Sequence, residues 1–410
     1  MNDHEIIVLK NGIRLVLKNV NNTKIVHCGI ILDIGTRDEP SDQQGLAHFM
    51  EHMAFKRTHT RNSYHIINSL ESVGGELNAF TTKEKICFHA SVLDEYFEKA
   101  VDLLTDITFH STFPQKEIDR ERRVILDEMY MYRDLPEDSI QDDFDKTLFR
   151  SHPLGRNILG DEEAITKIRH GHFVDFIRNN LNSKRIVFSV VGNIDRVRHR
   201  AIVEKYFDKV PVLKGKNKRI KPGVVRSNYE KAEKTITRSY CAMGYPAFSI
   251  RNRNRLKLFM LTNILGGPSM NSRLNMELRE RRGMVYSIDA AYMPYTDTGI
   301  AAIYFGTDNR LLNKSIDLVH REIGKLKNHM LGKVQLHRAK EQLVGQLAIS
   351  EENNASLMIM MGRSLLDLNR IDLLEEIIRE IRSFSATDLA NVANEIFNDS
   401  AFCQLTYEPS

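Results

Sequence analysis

Over positions 5–35, apolar residues come in short runs bounded by turn residues. Ile6-Ile-Val-Leu9 and Arg14-Leu-Val-Leu17 flank Asn11-Gly12, the pattern of a β-hairpin. Val26–Ile34 reads as a third strand, stopped by Gly35. The period then lengthens. A helix starts near Gly45, and Ser63–Val73 reads as a second one, with Ser63 as its N-cap and Gly74-Gly75 as its stop. Leu77–Thr81 and Ile86–Val92 form a strand pair. Behind Asp94, residues Phe97, Ala100, Val101, Leu104 and Ile107 share one helical face. A long helix spans Gln115–Arg133 and ends before Leu135-Pro136. Another helix covers 165–179, and Arg185–Val191 is a buried-type strand closed by Gly192-Asn193.

The second half repeats the plan. Strands are expected at Ser239–Met243, Tyr286–Tyr292, Ile300–Phe305 and Phe402–Tyr407, with a helix at Arg255–Leu265. The run Phe305–Val319 parallels His89–Leu103, each a strand leading into an amphipathic helix. Strands followed by helices, rather than strict alternation, indicate an α+β chain of two homologous domains. Each is expected to be a mainly antiparallel sheet with helices on one face. The division is a first domain at 1–212, a linker at 213–235 and a second domain at 236–410.

Composition narrows the function classes. The chain has 410 residues, 42% of them hydrophobic, and a formal charge of +4, so nothing points to a polyanionic partner and no nucleic acid is expected. Lys214, Lys216, Lys218, Arg219 and Lys221 cluster, but in a Gly- and Pro-containing stretch that reads as a solvated linker. Four scattered cysteines, Cys28, Cys87, Cys241 and Cys403, contain no Cys-x-x-Cys and read as buried free thiols in a reducing compartment. No signal peptide or membrane-length apolar run is visible, so a cytoplasmic location and no membrane are expected.

The chemistry concentrates in Gly45-Leu-Ala-His48-Phe-Met-Glu51-His52. In His-x-x-Glu-His, helical spacing puts His48 and His52 on one face, two imidazoles toward one metal, with Glu51 beside them. Zinc suits such donors. The triplet also fits two surface histidines beside a surface glutamate. A catalytic zinc needs a third protein ligand. Glu117, Glu121, Asp127 and Glu128 lie on the long helix, and Glu121 and Glu128, two turns apart, face one way. One can bind the metal while the other orients a histidine. Arg120, Arg122 and Arg123 beside them also fit a charged outer face.

The sequence resembles the pitrilysin family of zinc peptidases, whose signature is this inverted His-x-x-Glu-His. The likeness is greatest to its half-length branch, which includes the catalytic subunit of mitochondrial processing peptidase. In that family a glutamate on the following long helix completes the site and a second one two turns earlier supports it. Here Glu128 stands 76 residues after His52 and seven after Glu121, which is the family's spacing. Gly74-Gly75-Glu-Leu-Asn78-Ala79-Phe-Thr81 is similar to the family's substrate-binding edge strand. Ser272-Arg273-Leu274, followed by Arg279-Glu-Arg-Arg-Gly283-Met-Val-Tyr286, is similar to the stretch carrying its Arg/Tyr pair. The loop Gly266–Met270 is short, unlike the glycine-rich loop of the non-catalytic processing subunit.

The resemblance implies a half-clamshell chain with one zinc ion bound by His48, His52 and Glu128. It makes Glu51 the general base and Glu121 the supporting acid. Asn78 and Ala79 line the substrate strand, and Arg279 and Tyr286 hold the substrate carbonyl. It further implies an endopeptidase for peptides or unfolded segments, enclosed as a homodimer whose site draws Arg279 and Tyr286 from the partner chain. The rival expectations are the catalytic half of a heterodimer and a non-catalytic structural subunit of the same fold.

Overall fold

A computed structural model describes residues 4–216 and 218–410. The chain runs β1 (His4–Val8), β2 (Arg14–Asn19), β3 (Ile25–Leu32), α1 (Leu46–Ala54), α2 (Ser63–Glu71), β4 (Glu76–Thr81), β5 (Ile86–Leu93), α3 (Phe97–Phe109) and α4 (Gln115–Arg133). Next come α5 (Pro136–Phe149), α6 (Glu162–Lys167), α7 (His170–Asn180), β6 (Ile186–Gly192), α8 (Arg196–Phe207), β7 (Asn228–Lys234), β8 (Ser239–Ala247) and α9 (Arg255–Gly266). After β9 (Val285–Pro294) and β10 (Gly299–Thr307) it ends with α10 (Leu312–Asn328), α11 (Lys333–Glu351), α12 (Asn354–Leu368), α13 (Leu374–Ser383), α14 (Ala386–Ile396) and β11 (Cys403–Pro409).

Two sheets form, in the orders β1-β2-β6-β3-β5-β4 and β7-β11-β8-β10-β9. All neighbours are antiparallel except β2 with β6 and β7 with β11. The α+β reading of two related sheets therefore holds. Among the described residues no helix is long and apolar enough to cross a membrane. All four cysteines are buried and free. Burial pushes the thiols of Cys28, Cys87 and Cys241 well up, and that of Cys403 to about 11.

The compact units do not follow a single cut at 213–235. The first gathers Met1–Met129, Arg156–Arg219 and Ser350–Ile371; the second gathers Tyr130–Gly155, Ile220–Ile349 and Asp372–Ser410. Each sheet packs helices of its own half on one face. The other face receives a helix from the opposite half of the sequence. In the first unit, Leu357, Met358, Met361 and Leu365 of α12 cover Val16, Ile31, Cys87, Val187 and Val191. In the second, Ile140, Phe144 and Leu148 of α5 cover Ala242, Ile300, Ala302 and Tyr407. Two of the five changes of unit fall inside helices, in α4 at Met129/Tyr130 and in α11 at Ile349/Ser350.

Several local expectations change. Pro136, read as the end of a helix, is the first residue of α5, where a missing N–H costs nothing. The helix expected at 165–179 is two, α6 and α7, with Ile168 and Arg169 extended between them. The Arg122 guanidinium occupies that break, donating to the carbonyls of Ile165 (3.1 Å) and Ile168 (2.6 Å). Asn62, not Ser63, caps α2, its side chain accepting from the His65 N–H. The expected linker contains β7, which pairs with β11.

Arg219 departs most from the sequence reading. Lys214, Lys216, Lys218 and Lys221 are exposed, as a solvated linker requires, but the Arg219 side chain is only 8% exposed. Its guanidinium donates to both Asp38 oxygens (2.9 and 2.7 Å), to Asp33 Oδ1 (2.9 Å) and to the Glu84 carbonyl (3.0 Å). Lys85 joins Asp33 to Asp367 of α12, each at 2.8 Å, and Arg185 also reaches Asp33. Burial pushes the Asp33 carboxyl up, but Lys85, Arg219 and Arg185 outweigh it and hold it near about 2.

That shift fixes a sign. The folded-state value lies below the ordinary 3.8, so the stabilisation is full above the unfolded value and is lost as pH falls toward 2. Arg219→Ala breaks a buried pair and is expected to lower stability by about 3 kcal/mol at neutral pH. The gap between variant and wild type should narrow as pH falls from 4 toward 2. Urea unfolding of both proteins across that range measures it; a gap independent of pH would remove the Asp33–Arg219 pair as its source.

Candidate metal centre and substrate edge

Helix α1 begins inside the protein. Its buried side is Leu46, Ala47, Phe49, Met50, Met53 and Ala54, and Phe49 meets Phe173 of α7 edge-on at 5.3 Å. The N-cap, Gly45, has φ +91°, and a Cβ there would lie 2.6 Å from the Leu159 carbonyl oxygen, so only glycine fits. Glycine has no side chain with which to cap the open amides. Glu39, 5% exposed, does so from a distance: one oxygen accepts from the Gly45 N–H (2.9 Å), the other from the Ala47 N–H (2.7 Å). Arg156 in turn holds the Glu39 carbonyl at 2.7 Å. Burial pushes the Glu39 carboxyl up to about 8, against the pull of the two amides and Arg156. The sequence reading did not find Glu39. Its only signal is an acid six residues before a helix that starts on glycine.

The helix aims His48 and His52 at α4. Glu128 Oε2 lies 3.4 Å from His48 Nε2 and 3.5 Å from His52 Nε2. Those separations are long for hydrogen bonds. They match the edge of a tetrahedron of zinc donors, about 3.4 Å for bonds of about 2.1 Å. Among the described residues, His48, His52 and Glu128 are the one group of three such side chains whose donor atoms all lie within 4.8 Å of one another. These residues therefore fit a metal ion.

Glu121 stands behind His52. Its Oε1 accepts from His52 Nδ1 at 3.0 Å, which leaves Nε2 as the imidazole's lone pair toward Glu128, and its Oε2 pairs with Lys56 at 2.6 Å. Burial pushes the Glu121 carboxyl up, but His52 and Lys56 outweigh it and hold it below the usual range. The nearby His48 imidazole lowers Glu128 likewise, against partial burial. Both acids are thus kept anionic beside the imidazoles. Lys56 was not singled out from sequence.

Glu51 lies between this group and β4. Its Oε2 accepts a 2.5 Å hydrogen bond from the Thr81 hydroxyl and is 4.0 Å from His48 Nδ1. Strand β4 ends its sheet, paired with β5 on one side only. Asn78 and Ala79 sit in its middle, opposite His89 and Phe88. Alternation puts the Asn78 side chain on the opposite face from Thr81 and Glu51, so the strand offers its backbone edge to this side, not the Asn78 amide.

Arg279 and Tyr286 belong to the second unit. Arg279 is exposed on the wide-turned helical segment Asn275–Glu280, where the Arg281 N–H reaches back five residues to Met276. Tyr286 stands in a β-bulge. Val285 faces Thr307 and Ile288 faces Phe305, so Tyr286 and Ser287 share Gly306 between them. The bulge turns Tyr286 outward, 55% exposed, with the Arg238 guanidinium 3.7 Å over its ring.

Comparison with known proteins gives the family. The family model for Insulinase (Peptidase family M16) matches residues 14–162, and that for the Peptidase M16 inactive domain matches 167–343. A Bacillus subtilis (strain 168) protein named as the uncharacterized zinc protease YmxG is 33% identical over 95% of both chains. The chain belongs to peptidase family M16. An uncharacterized zinc protease of Rickettsia felis is 31% identical, covering 95% of this chain and 94% of that one. Two solved structures share the fold with a TM-score of 0.92: a protease from Helicobacter pylori, 20% identical over the whole of both chains, and an M16 inactive domain from Pseudomonas fluorescens, 18% identical over 99% and 98%. The M16 relatives are thus similar over their whole length, and several carry zinc in their names.

Replacing Glu39 tests the anchoring of the M16 metal helix. Glu39→Gln sets an amide N–H against one of two buried backbone N–H groups, a loss of about 1–3 kcal/mol. Zinc affinity and the melting temperature of the zinc-free protein should both fall, whereas His52→Ala should remove zinc with little change in the zinc-free melting temperature. Metal titration and thermal unfolding of the two variants separate these effects; unchanged zinc affinity in Glu39→Gln would contradict the anchor.

Proposed function

We propose that the chain is a zinc-dependent endopeptidase acting on peptides or unfolded segments. The observation that supports this most is the position of Glu51, between the His48/His52/Glu128 group and the open edge of β4. Zinc held by those three residues supplies, when bound, Lewis acidity for a peptide carbonyl and a lowered pKa for the attacking water. A peptide laid along β4 bonds to the strand's free backbone groups, as an added strand does. Thr81 engages Glu51 Oε2 and sets the plane of the carboxylate. Oε1 is then the oxygen that takes a proton from the nucleophile and returns it to the leaving amine. Glu121 keeps the His52 ring in the tautomer that leaves Nε2 free for metal. Arg279 and Tyr286 are exposed donors suited to the carbonyl oxygen as negative charge develops there.

Two copies forming a closed homodimeric chamber complete this reading, with Arg279 and Tyr286 reaching the peptide from the second copy. A chamber restricts entry to peptides and unfolded segments and excludes folded proteins. The cytoplasm is the compartment that buried free thiols suit.

Glu51→Gln should keep zinc and fold but lose about 10² to 10⁴ in hydrolysis of a peptide library, matching the effect of a chelator on the wild type. Turnover at the wild-type rate would remove Glu51 as the base, and a wild type inert toward every peptide would favour the structural-subunit alternative.

Sharing of the site is tested by complementation. Inactive Glu51→Gln and Tyr286→Phe proteins are mixed and allowed to exchange subunits. A shared site regains activity, because the mixed dimer holds one intact set. No recovery, with exchange shown by tagged pull-down, would refute the shared arrangement. A sole species at the 47.3 kDa chain mass on sizing would remove the homodimer itself.

A further inference from the structure

The second unit contains a cavity of about 440 Å³ that the peptidase chemistry does not use. Its walls include Arg273, Glu277, Arg281, Glu322, Lys325 and His329. Both carboxylates are already committed. Glu277 pairs with Arg281 at 3.3 Å and Arg282 at 2.6 Å, and the buried Glu322 pairs with Lys325 at 2.5 Å. Arg273 is the uncommitted cation. It is half-buried, and among the described residues its guanidinium makes no hydrogen bond and no ion pair. Burial lowers its pKa, with only the more distant charge of Glu322 opposing. A guanidinium carries five donors, and withdrawing them from water without partners is unfavourable. The flanking residues anchor its backbone. Ser272 and Leu274 are buried, and the Ser272 hydroxyl accepts from Asn275 at 2.9 Å. A planar fork lining a cavity of ligand size fits an oxyanion.

The surroundings choose between oxyanions. Arg273, Arg281 and Lys325 stand against Glu277 and Glu322 in the same walls, a balance of one positive charge that suits a monoanion better than a phosphate dianion. Met276 and Met330 also line the cavity, and their unbranched side chains adapt to a range of apolar groups. We propose that this cavity is a carboxylate site, anchored by the Arg273 fork, which takes the C-terminus of a peptide with its last side chain against the two methionines. The proposal rests on the peptidase reading only in naming a peptide as the source of the carboxylate.

The test uses full-length protein and N-acetyl-dipeptides ending in leucine, either as the free acid or as the C-terminal amide. Binding is read by calorimetry and saturation-transfer NMR. The free acid should bind at least tenfold more tightly than the amide. Arg273→Ala should erase that preference, and Arg273→Lys, which keeps the charge but not the fork, should restore only part of it. Circular dichroism confirms that each variant is folded. Equal binding of acid and amide to the wild type, or a preference that survives in Arg273→Ala, overturns the site. Displacement of the acid by inorganic phosphate at lower concentration than by acetate overturns the carboxylate assignment. Hydrolysis of longer peptides is assayed on the same preparations. If hydrolysis is absent while the acid preference stands, the peptidase reading falls and the carboxylate site does not.

Discussion

Helix α1, which carries His48 and His52, starts inside the protein on a glycine, so its first amide groups need a buried acceptor from elsewhere. Glu39 is that acceptor, and the rest of the site depends on it. Two imidazoles one turn apart define a direction only if the helix cannot rotate or slide. The apolar side of α1 resists rotation, and the two Glu39 hydrogen bonds fix its height and register. Behind Glu39 stands the salt-bridge network of Asp33, Asp38, Lys85, Arg185 and Arg219. It ties the loop before α1 to the loop after β4 and to α12. Rigidity at the metal group is therefore supplied by charges that never touch it.

The same logic applies to the facing helix. Glu121 and Glu128 are two turns apart on α4, whose buried face carries Ile118, Glu121, Ile125 and Met129. One acid sits deep enough to be caught between His52 and Lys56, and the other stays partly open toward solvent. Burial and pairing thus assign different tasks to two identical side chains. Three electron-rich donors held at about 3.4 Å repel one another unless a cation or a proton lies among them. Such an arrangement is stabilised by the metal it is shaped to receive.

The two units share a topology but differ in chemistry. Each half of the sequence begins with strands, continues into a long helix and gives its following helix to the sheet formed by the other half. The first unit carries the metal group. The second carries a bulge that exposes Tyr286, a wide helical turn that exposes Arg279, and a half-buried Arg273 that makes no hydrogen bond or ion pair among the described residues. Irregular backbone appears in the second unit where side chains must point away from the core.

The sequence alone determined what depends on neighbours along the chain. Strand and helix periods, the His48/Glu51/His52 face, the Glu121–Glu128 repeat and the duplication are all local patterns, and the structure contains each of them. Family resemblance then named Glu128 as the expected third donor, which periodicity leaves open. Tertiary structure decided what depends on contacts remote in sequence. Pro136 looks like a stop because the same residue that ends one helix also begins the next. Arg219 looks solvated because its acids lie more than 130 residues away in the chain. The exchange of α5 and α12 leaves no trace in a local pattern, since either sheet could bury the same apolar stripe. Glu39, Lys56 and Thr81 are ordinary polar residues in sequence. Only folding brings them against α1, α4 and Glu51, where low exposure and short distances give each an orienting task.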